Sequence, residues 1–376
     1  MRHFLTPLIL LVLFRPGFGQ NGIKTNLETD RWQVGESMYI CSGIDLFPDG
    51  KTVLLGETQA HPLYLYDLES RRITREIEMN GYYAGPKVTL SSSGRYVLMQ
   101  QQFYMDMSPN RDRQVLYEVM ALPAGTVCLK IENAHSAAFS PDEKYLLTLE
   151  GADVCWYSLD SGRQEKKEKL PYATSSIAVT RDGSEIAVSH EPSEEELEQI
   201  ASVRNDKKAI KSAMKYRELI SFFTFDTFRK TRTVDEVYDI IFHLQPAMDG
   251  RTLFVYARPH TKLKEQGLNE GYINTVDIKS GEALRASFMS RIPDPDFKDS
   301  PDSKYFGIVS RDSKSPQLHV YETATGAMVT IFDITHSMGV SIANHETGDG
   351  RAYFVWSGND EITLVYGNHL QKWRIE

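Results

Sequence analysis

One four-residue turn recurs seven times along this chain, and each copy precedes a short run rich in apolar residues. The clearest copies are Ser140-Pro141-Asp142-Glu143, before Lys144-Tyr145-Leu146-Leu147, and Phe47-Pro48-Asp49-Gly50, before Lys51-Thr52-Val53-Leu54-Leu55. Others begin at Ser91, Thr180, Ala247, Ser300 and Ser357. Asp or Asn holds the third place in six of the seven, and Ser93 holds it in the other. Asp and Asn bond their own backbone and Gly accepts positive φ, so the pattern reads as a hairpin turn. The runs that follow, such as Val97-Leu98-Met99, Ile186-Ala187-Val188 and Leu253-Phe254-Val255, have the bulk and β-branching that strands prefer.

A second landmark follows each turn: a large residue, then in most cases a polar one. It reads as Tyr66-Asp67, Tyr117-Glu118, Tyr157-Ser158, Phe225-Asp226, Val276-Asp277, Tyr321-Glu322 and Trp373-Arg374. Several are followed by a second tight turn, as at Ser161-Gly162, Ser280-Gly281 and Thr325-Gly326. Each unit is then strand, turn, strand, loop, strand, turn, strand. Seven such antiparallel meanders predict an all-β, seven-bladed propeller of four-stranded blades. On these residues the chain resembles the WD-repeat and related bacterial propeller families over nearly all of its length after residue 19. It departs from true WD repeats in having no Trp-Asp ending and no Gly-His pair. The resemblance implies the fold and leaves function open, because propellers host many unrelated activities.

The seventh unit ends at Glu376, just after its third strand, which would leave an open sheet edge. Residues 27–34, containing Arg31-Trp32-Gln33-Val34, have no other place in the repeat. They are expected to supply the missing fourth strand and close the ring.

Residues 1–19 read as an export signal. Arg2 and His3 form a short basic start, an apolar run extends from Phe4 to Phe14, and Gly17-Phe18-Gly19 offers small residues for cleavage before Gln20. The apolar run is too short to span a bilayer. The expected product is one propeller domain, residues 20–376, periplasmic or secreted in a Gram-negative cell, monomeric and not inserted in the membrane. Losing Arg2 and Arg15 from the 42 basic residues leaves 40 against 51 acidic, a net charge of −11. An acidic chain has no general attraction to nucleic-acid or anionic lipid phosphates, so neither is an expected partner. The three cysteines, Cys41, Cys128 and Cys155, sit in apolar strand-like sequence and read as buried thiols, with a Cys128–Cys155 bridge left open.

In a meander the connections between strands two and three, and between blades, share one face, here called upper. The long segments all fall there: 100–113 in blade two, 190–217 in blade four, 257–271 in blade five, and 335–350 before blade seven. Long loops of this kind are usually functional. The blade-four segment predicts a helical insertion. Ser193 with Glu196 forms a capping box, acidic residues come first and lysines later, and Asn205-Asp206 breaks the segment into two helices.

The candidate ligand-binding residues are those on or beside that face: His61, Phe103, Tyr104, Asp106, His135, His190, His260 and His336. Imidazoles and carboxylates meeting over a channel are chemistry for a metal, and Asp106, Asp294 and Asp296 are acids that could join them. No pair has the spacing of a metal motif, and no phosphate loop, nucleophile elbow or haem site is present. No cofactor is therefore expected. The leading expectation is a non-catalytic exported propeller that binds a protein, peptide or glycan through its upper loops. The alternative, implied by the resemblance, is a lactonase-like hydrolase or lyase with its site in the channel mouth.

Overall fold

The computed structural model describes residues 24–34, 41–57, 62–79, 86–101, 115–260, 271–289, 296–310, 316–334 and 352–376. These form seven four-stranded antiparallel sheets. Blade one spans Cys41–Ile77, blade two Pro86–Ala134, blade three Ser136–Lys169 and blade four Thr174–Thr233. Blade five spans Ile240–Met289, blade six Phe297–Asp333 and blade seven Ala352–Ile375. The fourth strand of blade seven is Asn26–Gln33, which runs antiparallel to His369–Ile375 with Leu27 opposite Arg374 and Trp32 opposite Leu370. The ring is closed as the sequence predicts, and the edge a three-stranded final blade would expose is paired.

All seven recurring turns join the first and second strands of a blade. In five of the seven the third place is an aspartate, and its carboxylate explains their likeness. Asp49 accepts from Lys51 N and Thr52 N, both at 2.8 Å, and Asp249 accepts from Arg251 N and Thr252 N at 2.8 and 2.9 Å. The Ser184 N–H and the Thr180 hydroxyl together hold the Asp182 carboxyl below the usual carboxylate range.

The second landmark caps the turn between strands three and four. Asp67 accepts from Ser70 N at 2.5 Å and Asp277 from Ser280 N at 2.8 Å. Arg251 and Ser280 bring Asp277 down to about 2. Two landmarks lie elsewhere than the spacing predicts. Tyr66 stands opposite Val53, and the residue opposite Val97 in blade two is Met120, not Tyr117. In blade four, Phe223-Thr224 occupies the position, and Phe225-Asp226 lies beyond the strand in the turn. The site demands bulk toward the core, which Met120 supplies without an aromatic ring. It also takes an oxygen at the turn, which Thr224 supplies without a charge by accepting from Arg229 N at 3.0 Å.

Blades are joined near the axis by a second repeated device. Four residues before the turn, Ser136, Ser176 and Asp296 each accept a backbone N–H from the next blade: Ile177 N at 3.2 Å, Leu244 N at 3.0 Å and Phe354 N at 2.8 Å. The equivalent in blade one is Gly43. A Cβ there would stand 3.1 Å from Val88 N, so the two backbones meet where other blades use a side chain.

Among the described residues, four other than glycine hold positive φ: Arg71, Glu143, Phe228 and Ser303. Such a conformation costs about 1–2 kcal/mol for an L-residue, so a compensating contact is required. Each of the four reaches back to the preceding blade on the lower face. Arg71 pairs with Asp30 and lies 4.8 Å over the Trp32 ring of the closing strand. Glu143 accepts from Ser92 and Ser93 in the turn of blade two. The Phe228 ring meets Trp156 edge-on at 5.4 Å, and the Ser303 hydroxyl accepts from Asp249 N at 2.8 Å. The lower face is a stapled frame.

All three cysteines are free thiols, with Cys41 and Cys155 buried and Cys128 half-buried. Burial raises the Cys155 thiol to about 12, so it stays protonated and unreactive at neutral pH.

Candidate functional site

The upper side of blades four and five is built on the helical insertion. Ser193 caps α1 (Glu194–Leu197). Its hydroxyl accepts from Glu196 N at 3.2 Å, and Glu196 Oε2 returns a bond from Ser193 N at 3.0 Å. Asp206 caps α2 (Lys207–Tyr216), accepting from Lys208 N and Ala209 N at 2.8 and 3.0 Å. The Ser193 cap and the break between the helices follow the sequence, and Asp206 at that break serves as the second cap. Leu197, Ile200, Ile210 and Ala213 form a small core with Leu219 of the blade, with Val237 packed against it. Glu196 also takes Lys230 Nζ at 2.6 Å, which ties α1 to the outer strand of blade four. Lys207, Lys208, Lys211 and Lys215 face outward.

The last residues of α2 deliver the most polar corner on this face. Arg217, which caps the helix C-terminus, donates to the Asp239 carboxylate at the base of blade five. Side-chain exposure is 34% for Arg217 and 11% for Asp239, so the acid is enclosed while the guanidinium keeps a flank in solvent. Asp239 N donates to the Tyr272 hydroxyl at 3.1 Å, which fixes the acid from behind. Beside the pair, the Tyr216 and His260 rings meet at 4.9 Å with a 46° tilt. The Arg258 guanidinium lies 3.7 Å over the Phe242 ring.

Burial raises the Asp239 carboxyl, with Arg217 and the Tyr272 hydroxyl pulling the other way, and burial also raises Glu236. Perturbed carboxyls, an oriented arginine and half-buried rings in one place make a functional-site candidate on physical grounds. An arginine aligned by a carboxylate can hold a carbonyl, hydroxyl or carboxylate, and adjacent rings can cover an apolar face.

Among the residues singled out from sequence, His260 lies in this corner. His135 Nε2 donates to the Thr174 hydroxyl at 3.2 Å, and that hydroxyl donates to Gly151 O at 2.6 Å. Thr174 stands opposite His190 in the ladder, so His135 and His190 share one edge of blades three and four. His190 is 1% exposed. Its Nδ1 donates to Glu191 O at 2.8 Å, its Nε2 accepts from Ser221 Oγ at 2.8 Å, and Tyr172 stacks on the ring at 4.9 Å. A serine–histidine contact with no access from solvent holds the root of the insertion and does not serve as a nucleophile. His61, Phe103, Tyr104, Asp106 and His336, and Asp294, lie outside the described residues. Among the described residues no three His, Cys, Asp or Glu side chains converge in the manner of a metal site.

Sequence reading missed Tyr216, Arg217 and Asp239. A signal existed, since Tyr216-Arg217 ends the lysine-rich helix where the chain must return to the sheet. Neither a protein-family model nor a curated protein sequence matches this chain. The seven-bladed fold therefore rests on its own strand pairing.

Proposed function

We propose that this protein is an exported, non-catalytic propeller of WD-repeat-like kinship that binds a protein, peptide or glycan on its upper face, with the Tyr216–Arg217–Asp239–His260 corner as one contact area. The observation that supports this reading most is the difference between the faces. Lower turns are short and consume their polar groups in caps and staples. The described upper corner keeps an oriented guanidinium partly in solvent beside the Tyr216–His260 ring pair. Rigid blades fix the bases of the upper connections, and binding then needs little ordering of the frame.

The test uses the full protein on arrays of peptides and glycans. Arg217→Ala should weaken binding about tenfold to a hundredfold, as loss of a buried-flank arginine contact does at interfaces. Deleting residues 193–215 should abolish it, while urea denaturation shows the propeller still folded. Binding unchanged in both variants, or no binding by the parent protein to either array, contradicts the reading.

A second reading has one observation in its favour. Asp239 and Glu236 are carboxyls pushed upward beside Tyr272 and Arg217, a disposition that suits general acid chemistry in a hydrolase or lyase. Turnover of a bound lactone or polysaccharide, lost in Asp239→Asn with binding retained, would favour it.

A further inference from the structure

Charged side chains also meet at the inner strands, away from the upper corner. Asp45 belongs to the first strand of blade one, Lys298 to that of blade six, and Asp296 immediately precedes Phe297. Lys298 Nζ donates to Asp45 Oδ1 at 3.0 Å and to Ile44 O at 2.8 Å. The other Asp45 oxygen accepts from Leu90 N at 2.7 Å. Asp296 accepts from Phe354 N and feels the positive charges of Lys298 and of Lys87 in blade two. The lysines and carboxylates answer one another, so the cluster is not a vacant anion site.

Its geometry has another use. Blades six and one are not neighbours, because blade seven lies between them. Lys298 passes the inner edge of blade seven to reach blade one, and its own carbonyl accepts from Trp356 Nε1 of blade seven at 3.0 Å. On the outside the N-terminal segment makes the same three-blade connection. Lys24 N donates to Val329 O at 2.8 Å, and Asn26 Nδ2 donates to Thr330 Oγ1 and Ile331 O at 2.7 and 3.0 Å, all in blade six. The strand then pairs with blade seven and reaches blade one through Asp30 and Trp32 against Arg71.

We propose that the ring has two independent closures around blade seven. The outer one is the N-terminal strand. The inner one is Lys298 on Asp45 and Ile44 O, and it keeps the ring shut when the outer strand is displaced. The pair is four-fifths shielded, with side-chain exposures of 22% and 20%, so it is screened less than a surface ion pair. Besides their mutual bond, Ile44 O holds Lys298, and Leu90 N and Leu46 N hold Asp45, which restricts both side chains before they meet.

The test displaces each closure in the full chain. Leu27→Pro with Asp30→Pro removes ladder donors from the outer strand, and Lys298→Met removes the inner tie. Hydrogen exchange is followed in residues 41–46 and 352–356, the inner strands of blades one and seven. Each displacement alone should change their exchange by less than about threefold, and the two together should speed it about a hundredfold or more, as a cooperative opening does. Asp45→Asn in the outer-displaced chain is the milder second variant. Its amide oxygen can still accept from Leu90 N, and it should give an intermediate rise of about tenfold. If outer displacement alone exposes residues 352–356 as much as the combined change, or if the combined change leaves them protected, the inner closure does not exist.

Discussion

Lowering the pH from 7 to 5 should cost this protein about 2 kcal/mol through His190 alone. Burial drops the imidazole to about 4, with the nearby Glu196 pulling it up and Lys230 pushing it further down. The ordinary imidazole value is 6.5. Between those values the unfolded chain binds a proton that the native ring refuses, so stability is full above about pH 6.5 and falls as pH drops toward 4. Tyr172 covers the ring, and the Ser221 and Glu191 contacts fix the neutral Nδ1–H tautomer. Burial lowers His135 as well, which acts in the same direction. Asp239, Asp296 and Asp299 are raised by burial and act oppositely: their effect favours the fold as pH falls. His190→Gln separates these terms, because an amide can serve both partners without titrating. The urea midpoint of the parent protein should fall more steeply from pH 7 to 5 than that of the variant. Parallel curves would contradict the assignment.

The second large effect is expected at Glu143. This residue combines a left-handed backbone, φ +56°, with a carboxylate that accepts from Ser92 Oγ at 3.1 Å, Ser93 Oγ at 2.6 Å and Ser93 N. Burial opposes its charge, yet these donors outweigh burial and hold the carboxyl below its ordinary value. Glu143→Ala loses the staple and keeps the strain, so unfolding should become easier by about 2–3 kcal/mol. Glu143→Gly loses the same bonds and releases about 1 kcal/mol of strain. The expected order of stability is therefore parent, Gly variant, Ala variant, the reverse of the usual preference for alanine over glycine. If the alanine variant is the more stable of the two in urea, the strained-staple account of the lower face fails.

These residues show what a sequence can and cannot disclose. Local chemistry was legible. Asp49 and Asp249 satisfy donors two and three residues away, so their turns announce themselves, and the same holds for the Ser193 capping box. The closing strand was legible because a meander one strand short needs a partner, and residues 27–34 had no other use. Tyr117 and Phe225 misled because an aromatic followed by a polar residue is only one way to satisfy a core position and a turn cap. The Arg217–Asp239 and Lys298–Asp45 pairs were not legible. Their partners are 22 and 253 residues apart; the Glu218–Tyr238 backbone bridge brings the first pair together and the ring brings the second. His190 looked like a loop residue and is enclosed instead, because Tyr172 arrives from the preceding connection to cover it.

All of this depends on the N-terminal strand lying on the last strand in the stated register. Leu27→Cys with Arg374→Cys tests it directly, in a chain whose half-buried Cys128 is changed to Ala. Directly opposed residues lie within disulfide reach, whereas Leu27→Cys with Lys372→Cys are displaced along the ladder and should not bridge. Oxidation should convert nearly all of the first protein to a covalently closed form of altered gel mobility and leave the second unchanged. A linear product from both, or equal bridging in both, would show that the ring is not closed in this way.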